Sequence, residues 1–249
     1  MTDTPLILRS EADGILQLTL NRPSHRNALN GEMYLQLADA IDSAASNPDI
    51  RVIVLHGSGG YFTAGNDLTD FVPQPAELLA MRLFRAAARC FKPIVAAVEG
   101  CAIGIGTTIL GHCDFAFAGA STRFAAPFVK LGVCAEGASS LWLPQVAGDK
   151  RAAQILLLGE PFSAQQAADA GLLTAVVGDG QAIVEAMDHA ARLAALPPES
   201  VQESKKLMKA PRCASVLETI DREEKAFLAL LGKAPAQTAI SAFLKPRNA

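Results

Sequence analysis

No run of 18 or more apolar residues occurs in this chain, although half of its residues are hydrophobic, so a membrane-spanning helix is not expected. The first residues, MTDTPLILRSEADG, lack a basic start followed by a long apolar stretch, and no secretory leader is read there. Five cysteines (Cys90, Cys101, Cys113, Cys134, Cys213) are odd in number and widely spaced, with no CxxC pair. That argues against a disulfide framework or a zinc knuckle and reads as buried thiols in a reducing compartment. The four histidines (His25, His56, His112, His189) form no i,i+4 pair and no HExxH, so no metal site is expected. An excess of charge of one sign is missing too. The 22 basic and 25 acidic residues leave a net charge of -3, which gives no general attraction to nucleic acid or to an anionic membrane. There is no GxSxG elbow and no GxxxxGK[ST] loop, and the pair Gly104 and Gly106 is followed by Ile109 where a dinucleotide fingerprint needs glycine. No internal repeat, low-complexity segment or long linker is present. A soluble cytoplasmic protein is the expectation.

What is present is alternation of strand and helix. At 249 residues and 26.1 kDa the chain can bury a substantial core in one main domain with a smaller appendage. Residues 6–8 and 15–20 flank Asp13-Gly14, a hairpin signal. Asn30 caps a helix to about Ala45, residues 51–55 form a buried strand ending in the GSGG turn at 57–60, residues 76–90 are helical, and residues 93–98 are another strand. This order favours an α/β domain with mostly parallel strands, whose ligand loops lie at the strands' carboxyl ends. The stretch 163–166 makes a capping box for a helix stopped at Gly171, and residues 173–177 form the last strand. Beyond Gly180 only helices are read, broken near Pro197-Pro198, Pro211 and Pro235. Lys205, Lys206 and Lys209 form the densest basic cluster. A solvated helix face is its default reading, ahead of a phosphate contact.

Glu136 is the sole carboxylate between Asp114 and Asp149, within a run of apolar and small residues. Two readings are open to it. Burial disfavours the ionised form, so an acid in such surroundings can take up and return a proton near neutral pH. Alternatively, residues 137–146 form a short helix and Glu136 stabilises the positive end of its dipole. Two turns, YFTAGNDL at 61–68 and GCAIGIG at 100–106, follow strands and carry small residues. Such turns expose unpaired backbone N–H groups, and two that converge hold one oxyanion; equally, their glycines simply permit close packing or positive φ.

NRPSHRNALN (21–30), FTAGND (62–67), KPIVAAVEG (92–100), CD (113–114), FAAPFVKLG (124–132) and AADAGLL (167–173) together resemble the crotonase superfamily, also called the enoyl-CoA hydratase/isomerase family, over nearly the whole chain. The resemblance implies an α/β spiral core of repeated ββα units over residues 1–190, a helical trimerisation region over 191–249, and a homotrimer or dimer of trimers. It also implies a bent coenzyme A thioester as substrate, with no cofactor or metal. By the same matching, the N–H groups of Asn66 and Ile105 form an oxyanion hole, and Arg26, Ala28, Ala64, Gly65, Asp67, Leu68, Gly104 and Phe128 contact the substrate. Phe71, Phe128 and Trp142 are candidates for the acyl pocket.

One departure from the family pattern directs the reading of the chemistry. Hydratases of the family carry two glutamates, at the positions of Thr108 and Phe128 here, and neither residue is a plausible acid or base. Glu136 instead matches the single catalytic glutamate of the Δ3,Δ2-enoyl-CoA isomerase branch, and GNDLTDF (65–71) and EGASS (136–140) resemble its peroxisomal type. Ala135 stands where many relatives have proline. The implied activity is migration of a 3-enoyl-CoA double bond to the 2-position. The alternatives are a ring-modifying isomerase, a thioester hydrolase, a hydratase, or a non-catalytic RNA-binding relative, the last disfavoured by the acidic balance.

Overall fold

Nine strands divide between two sheets in the computed structural model, which describes residues 4–245. The larger sheet takes β1 (Ile7–Ala12), β2 (Ile15–Leu20), β3 (Val52–Gly57), β4 (Ile94–Val98), β6 (Phe115–Gly119) and β9 (Ala175–Val177), in that spatial order. The smaller contains β5 (Cys101–Ile103), β7 (Arg123–Ala125) and β8 (Phe162–Ser163). Only β1 runs antiparallel to its neighbour in the large sheet. Asp13 (φ 52°) and Gly14 (φ 77°) supply the two positive dihedrals that a two-residue hairpin turn requires.

A strand–strand–helix unit recurs. β4 leads directly into β5 and then α3 (Ile105–Thr108); β6 leads into β7 and then α4 (Ser139–Ala147). The two earlier passes are abbreviated. Thr63, after β3 and before α2 (Ala80–Arg89), bridges Ala102 of β5, and Leu29, after β2 and before α1 (Gly31–Ser46), bridges Asn66. Successive loops are thus stitched edge to edge at the carboxyl ends of the parallel strands. Asn27, fully buried, ties the first pair together by donating from Nδ2 to the carbonyls of Ser58 (2.9 Å) and Tyr61 (2.7 Å).

Both faces of the large sheet are covered, so its inner strands read as unbroken apolar runs. Along β3, Ile53 and Leu55 face the main core under α1 and α2, while Val52 and Val54 face the other way. That second face is closed by α7 (Ala182–Ala194), whose Ala182, Ala186, Ala190 and Ala194 recur every fourth residue and let the helix lie close on the strands. The boundary drawn at 190/191 falls inside α7. Two short helices, α5 (Asp149–Ala153) and α6 (Ala164–Asp169), precede β9; Ser163 and Gln166 complete the capping box expected for α6.

Three helices end the described chain: α8 (Pro198–Lys209), α9 (Cys213–Leu231) and α10 (Ala234–Leu244). The buried stripe of α9 is Ile220, Glu223, Phe227 and Leu231, and it packs on the same chain's core. No single helix among the described residues is long and apolar enough to cross a membrane.

Several expectations need correction. α2 begins at Ala80, because residues 75–79 instead wall a cavity and Leu78 N–H donates to Glu224 of α9 (3.2 Å). The lysine cluster is not a solvated face. Lys205 is 5% exposed, its ammonium donating to Asp114 Oδ2 and to the Lys92 carbonyl, both at 2.6 Å, while Lys206 alone of the three is fully outward. Losing one partner of such a buried pair leaves an uncompensated charge, at about 3 to 5 kcal/mol. Of the five thiols only Cys90 is fully buried; the others are half-buried.

Candidate active site

Glu136 lies on the loop between the short turn Phe128–Leu131 and α4, with 1% of its surface exposed. The loop is held from three sides. The Gly137 carbonyl accepts from His112 Nε2 (2.8 Å) and Trp142 Nε1 (3.3 Å), and the Ala138 N–H donates to Glu223 Oε2 (2.6 Å). Gly137 is required twice over: its φ is +70°, and a Cβ there would fall 2.3 Å from the Phe84 ring. Burial lowers His112 to about 4, so it donates as a neutral imidazole.

The helix-start reading of Glu136 does not hold, because the acid at the start of α4 is Glu223. Its carboxylate accepts from Ala138 N, Ser140 N (3.0 Å) and Ser140 Oγ (2.6 Å). Glu136 is left for the cavity. Its carboxylate is pushed up to about 8, chiefly by burial; a hydrogen bond from Asn66 Nδ2 (3.4 Å) opposes the rise and the neighbouring Glu223 charge adds to it. Asn66 is oriented in turn by Tyr34, whose hydroxyl donates to Asn66 Oδ1. A group with this affinity for protons is a competent acid and base near neutrality.

The two glycine turns converge beside it. A Cβ on Gly65 (φ +97°) would sit 2.8 Å from the Ile103 carbonyl oxygen and 3.9 Å from Gly104 N, so the turns are in direct backbone contact. Gly65 N–H is used by Thr63 Oγ1 (3.0 Å) and Gly104 N–H by the Ala125 carbonyl (2.8 Å). The N–H groups of the following residues, Asn66 and Ile105, donate to nothing among the described residues. Ile105 is the first residue of α3, where no carbonyl lies one turn back to receive its N–H.

Two cavities flank this point, and Asn66, Asp67 and Phe71 line both. One, of about 340 Å3, holds Glu136 with Tyr34, Asp70, Leu78 and Leu79. The other, of about 480 Å3, is walled by Ala28, Ala64, Gly65, Leu68, Gly104 and Phe128, with Phe227 of α9 and Phe243 of α10. Asp67 serves the scaffold: burial would raise it, but hydrogen bonds from Thr69 and Arg22 outweigh that and hold it below the usual carboxylate range. Asp70 accepts the Gly31 N–H at the start of α1 (2.7 Å).

The structure thus brings together Glu136, Asn66, Ala28, Ala64, Gly65, Asp67, Leu68, Gly104 and Phe128, while Ile105, which follows Gly104 in sequence, lines neither cavity. Arg26 lines neither cavity; its guanidinium stacks over Tyr61 at 5.4 Å. Trp142 is not an acyl-pocket residue either, since it supports the Glu136 loop from behind, whereas Phe71 and Phe128 do line cavity walls. Tyr34, His112 and Glu223 went unread in the sequence. Only Glu223 left a signal, a carboxylate on the apolar stripe of an amphipathic helix.

The enoyl-CoA hydratase/isomerase profile matches residues 10–249. Human enoyl-CoA delta isomerase 2 is 35% identical over 229 residues, covering 88% of this chain and 57% of that protein. The 1,2-epoxyphenylacetyl-CoA isomerase of Escherichia coli K12 is 33% identical over 253 residues, covering 97% and 96%. The solved structure of Pseudomonas aeruginosa OdaA superposes with a TM-score of 0.95 at 40% identity, covering 98% of this chain and 100% of that one. With its strand–strand–helix repeats, paired glycine turns and full-length match, the chain belongs to the enoyl-CoA hydratase/isomerase family, the crotonase superfamily.

Proposed function

We propose that this acyl-CoA enzyme moves the double bond of a 3-enoyl-CoA to the 2-position, with Glu136 as its single acid and base. The observation that carries the reading is one buried carboxylate of raised proton affinity facing a cavity, while Asp67 and Asp70 are occupied by the scaffold. Glu136 takes a proton from C2. The electron pair spreads through the dienolate onto the thioester oxygen, which the N–H groups of Asn66 and Ile105 receive, and the proton returns at C4. The acyl chain occupies the cavity holding Glu136, and the thioester sits at Asn66 between the two cavities. The likeness to human enoyl-CoA delta isomerase 2 supports the reading. The likeness to 1,2-epoxyphenylacetyl-CoA isomerase, which extends over a larger share of both chains, makes a ring-modifying isomerisation the second reading.

Water addition needs a group to activate water and another to protonate the neighbouring carbon. Thr108 spends its hydroxyl on the Gly104 carbonyl (3.4 Å), and Phe128 has no proton to give. Hydration of trans-2-enoyl-CoA is therefore expected to be at least about a hundredfold slower than isomerisation of the 3-enoyl isomer. Product analysis with cis-3- and trans-3-enoyl-CoA of graded length decides it: comparable rates for hydration and isomerisation would reject the single-base mechanism, and turnover confined to an epoxide substrate would favour the second reading.

We also infer a homotrimer or dimer of trimers, on the family pattern and on exposed apolar residues such as Leu207, Met208 and Phe243 in the last helices. Light scattering of the full chain is expected to show multiples of three; a monomer would overturn this. Truncation after Pro211 is expected to abolish activity in any assembly state, since it removes Phe227 from a cavity wall and Glu223 from the catalytic loop. An active truncated protein would remove the C-terminal helices from the site.

A further inference from the structure

We propose that Glu223 is a positioning residue for Glu136: by gripping the start of α4 it fixes the loop that carries the base, so the C-terminal helix α9 sets the geometry of the site it covers. The inference rests on Glu136 being the base. α4 has no side-chain cap of its own, and its N-cap, Ala138, is in the left-handed region (φ 57°). That conformation is disfavoured for any residue with a Cβ, so something outside the loop must hold it. Glu223 supplies the hold with two carboxylate oxygens, one on Ala138 N and the other on Ser140 N and Oγ. Ala138 is two residues from Glu136, and the Gly137 carbonyl between them is pinned by His112 and Trp142. A shift at Ala138 therefore reaches the Glu136 side chain with little slack.

α9 is itself anchored on the opposite wall. Glu224 receives Leu78 N–H, and Arg85 of α2 binds both Asp221 (2.7 Å) and Glu224 (2.6 Å). Adjacent acids of one helix thus hold the two sides of the same cavity: Glu223 the loop of the base, Glu224 the segment carrying Leu78 and Leu79. The charged and titratable groups around Glu223 are Arg222 on its own helix and Cys134 and Glu136 on the facing loop. Across the cavity Tyr34, Asp67 and Asp70 share the field of Glu136, and His112 contacts its loop as a neutral ring.

Glu223→Gln separates positioning from simple packing. The amide has one acceptor oxygen where the carboxylate has two, so in either orientation its NH2 confronts a backbone N–H of Ala138 or Ser140. Because small misplacements of a catalytic group are costly, kcat is expected to fall by about tenfold to a hundredfold with KM within about threefold. Removing the negative charge also eases ionisation of Glu136, so the rising limb of the kcat–pH profile moves to lower pH. Glu223→Asp keeps the charge but withdraws it by one methylene; its limb should stay at the wild-type pH, with kcat between wild type and Gln. Glu224→Gln, which loosens the other wall, should raise KM and leave the limb in place.

Wild-type kcat and pH profile in Glu223→Gln would overturn the proposal. So would a lower kcat with an unmoved limb and no recovery in Glu223→Asp, the pattern of a merely structural contact. If circular dichroism shows that Glu223→Gln does not fold, Glu223→Asp decides alone: reduced kcat with KM within about threefold and a melting temperature near wild type supports the proposal, and wild-type kcat, or a kcat that falls only together with the melting temperature, defeats it. Activity retained in Glu136→Gln would instead defeat the reading of the base itself, a result that no Glu223 variant can mimic.

Discussion

Glu136→Gln is expected to lower kcat by about 10²- to 10⁴-fold while leaving thioester binding nearly intact, because the amide keeps the shape of the side chain and cannot carry the proton. Steady-state kinetics with a 3-enoyl-CoA checks it, and a kcat within about threefold of wild type would remove Glu136 from the mechanism. The pH dependence follows from the same group. The base must be ionised to act, so wild-type kcat/KM should rise with pH through about 8 and level off above it.

Stability should move the opposite way. The folded-state value of about 8 lies above the ordinary 4.5, so the folded chain binds this proton more tightly than the unfolded one. Stability is therefore lost as pH rises from the ordinary value to the folded one, and the full cost is present above it. Gln has no such cost. Glu136→Gln should melt near the wild-type temperature at about pH 5 and above it at about pH 9, a difference on the order of a few kcal/mol at the alkaline end. Equal melting at both ends would mean that the carboxylate is solvated and not a raised base.

Gly65→Ala is expected to cost about a hundred- to a thousandfold in kcat, the usual price of one lost oxyanion donor. The added Cβ cannot stay 2.8 Å from the Ile103 carbonyl, and φ of +97° is strained for alanine, so the GND turn must back away from the 103–105 turn. The proposed pairing of the Asn66 and Ile105 N–H groups on one thioester oxygen is then broken. Because Asn66 also donates to Glu136, the base loses a partner in the same movement. Kinetics together with the melting temperature test this: a folded variant with wild-type kcat would show that the two N–H groups do not act as a pair.

The alternation of strand and helix, the hairpin at Asp13-Gly14, the Asn30 cap and the Ser163 capping box were readable from the chain because each depends on neighbours in sequence; the strand–strand–helix repeat was implied only by the family resemblance. Glu136 was visible by its isolation among apolar residues, and the two glycine turns by the N–H groups that such turns free, whereas the choice of Asn66 and Ile105 within them came from the family resemblance. What those groups meet was not visible. Glu223 reaches the loop of Glu136 from α9, Tyr34 reaches Asn66 from α1, and Lys205 finds Asp114 from α8. In sequence a lysine run at helical spacing looks the same whether it faces water or a buried carboxylate, and Trp142 looks the same behind the site as inside it. Desolvation and pairing depend on which distant surfaces close over a group, so local pattern singled out Glu136 and the two glycine turns, while tertiary packing decided how strongly Glu136 holds its proton and which helix holds its loop.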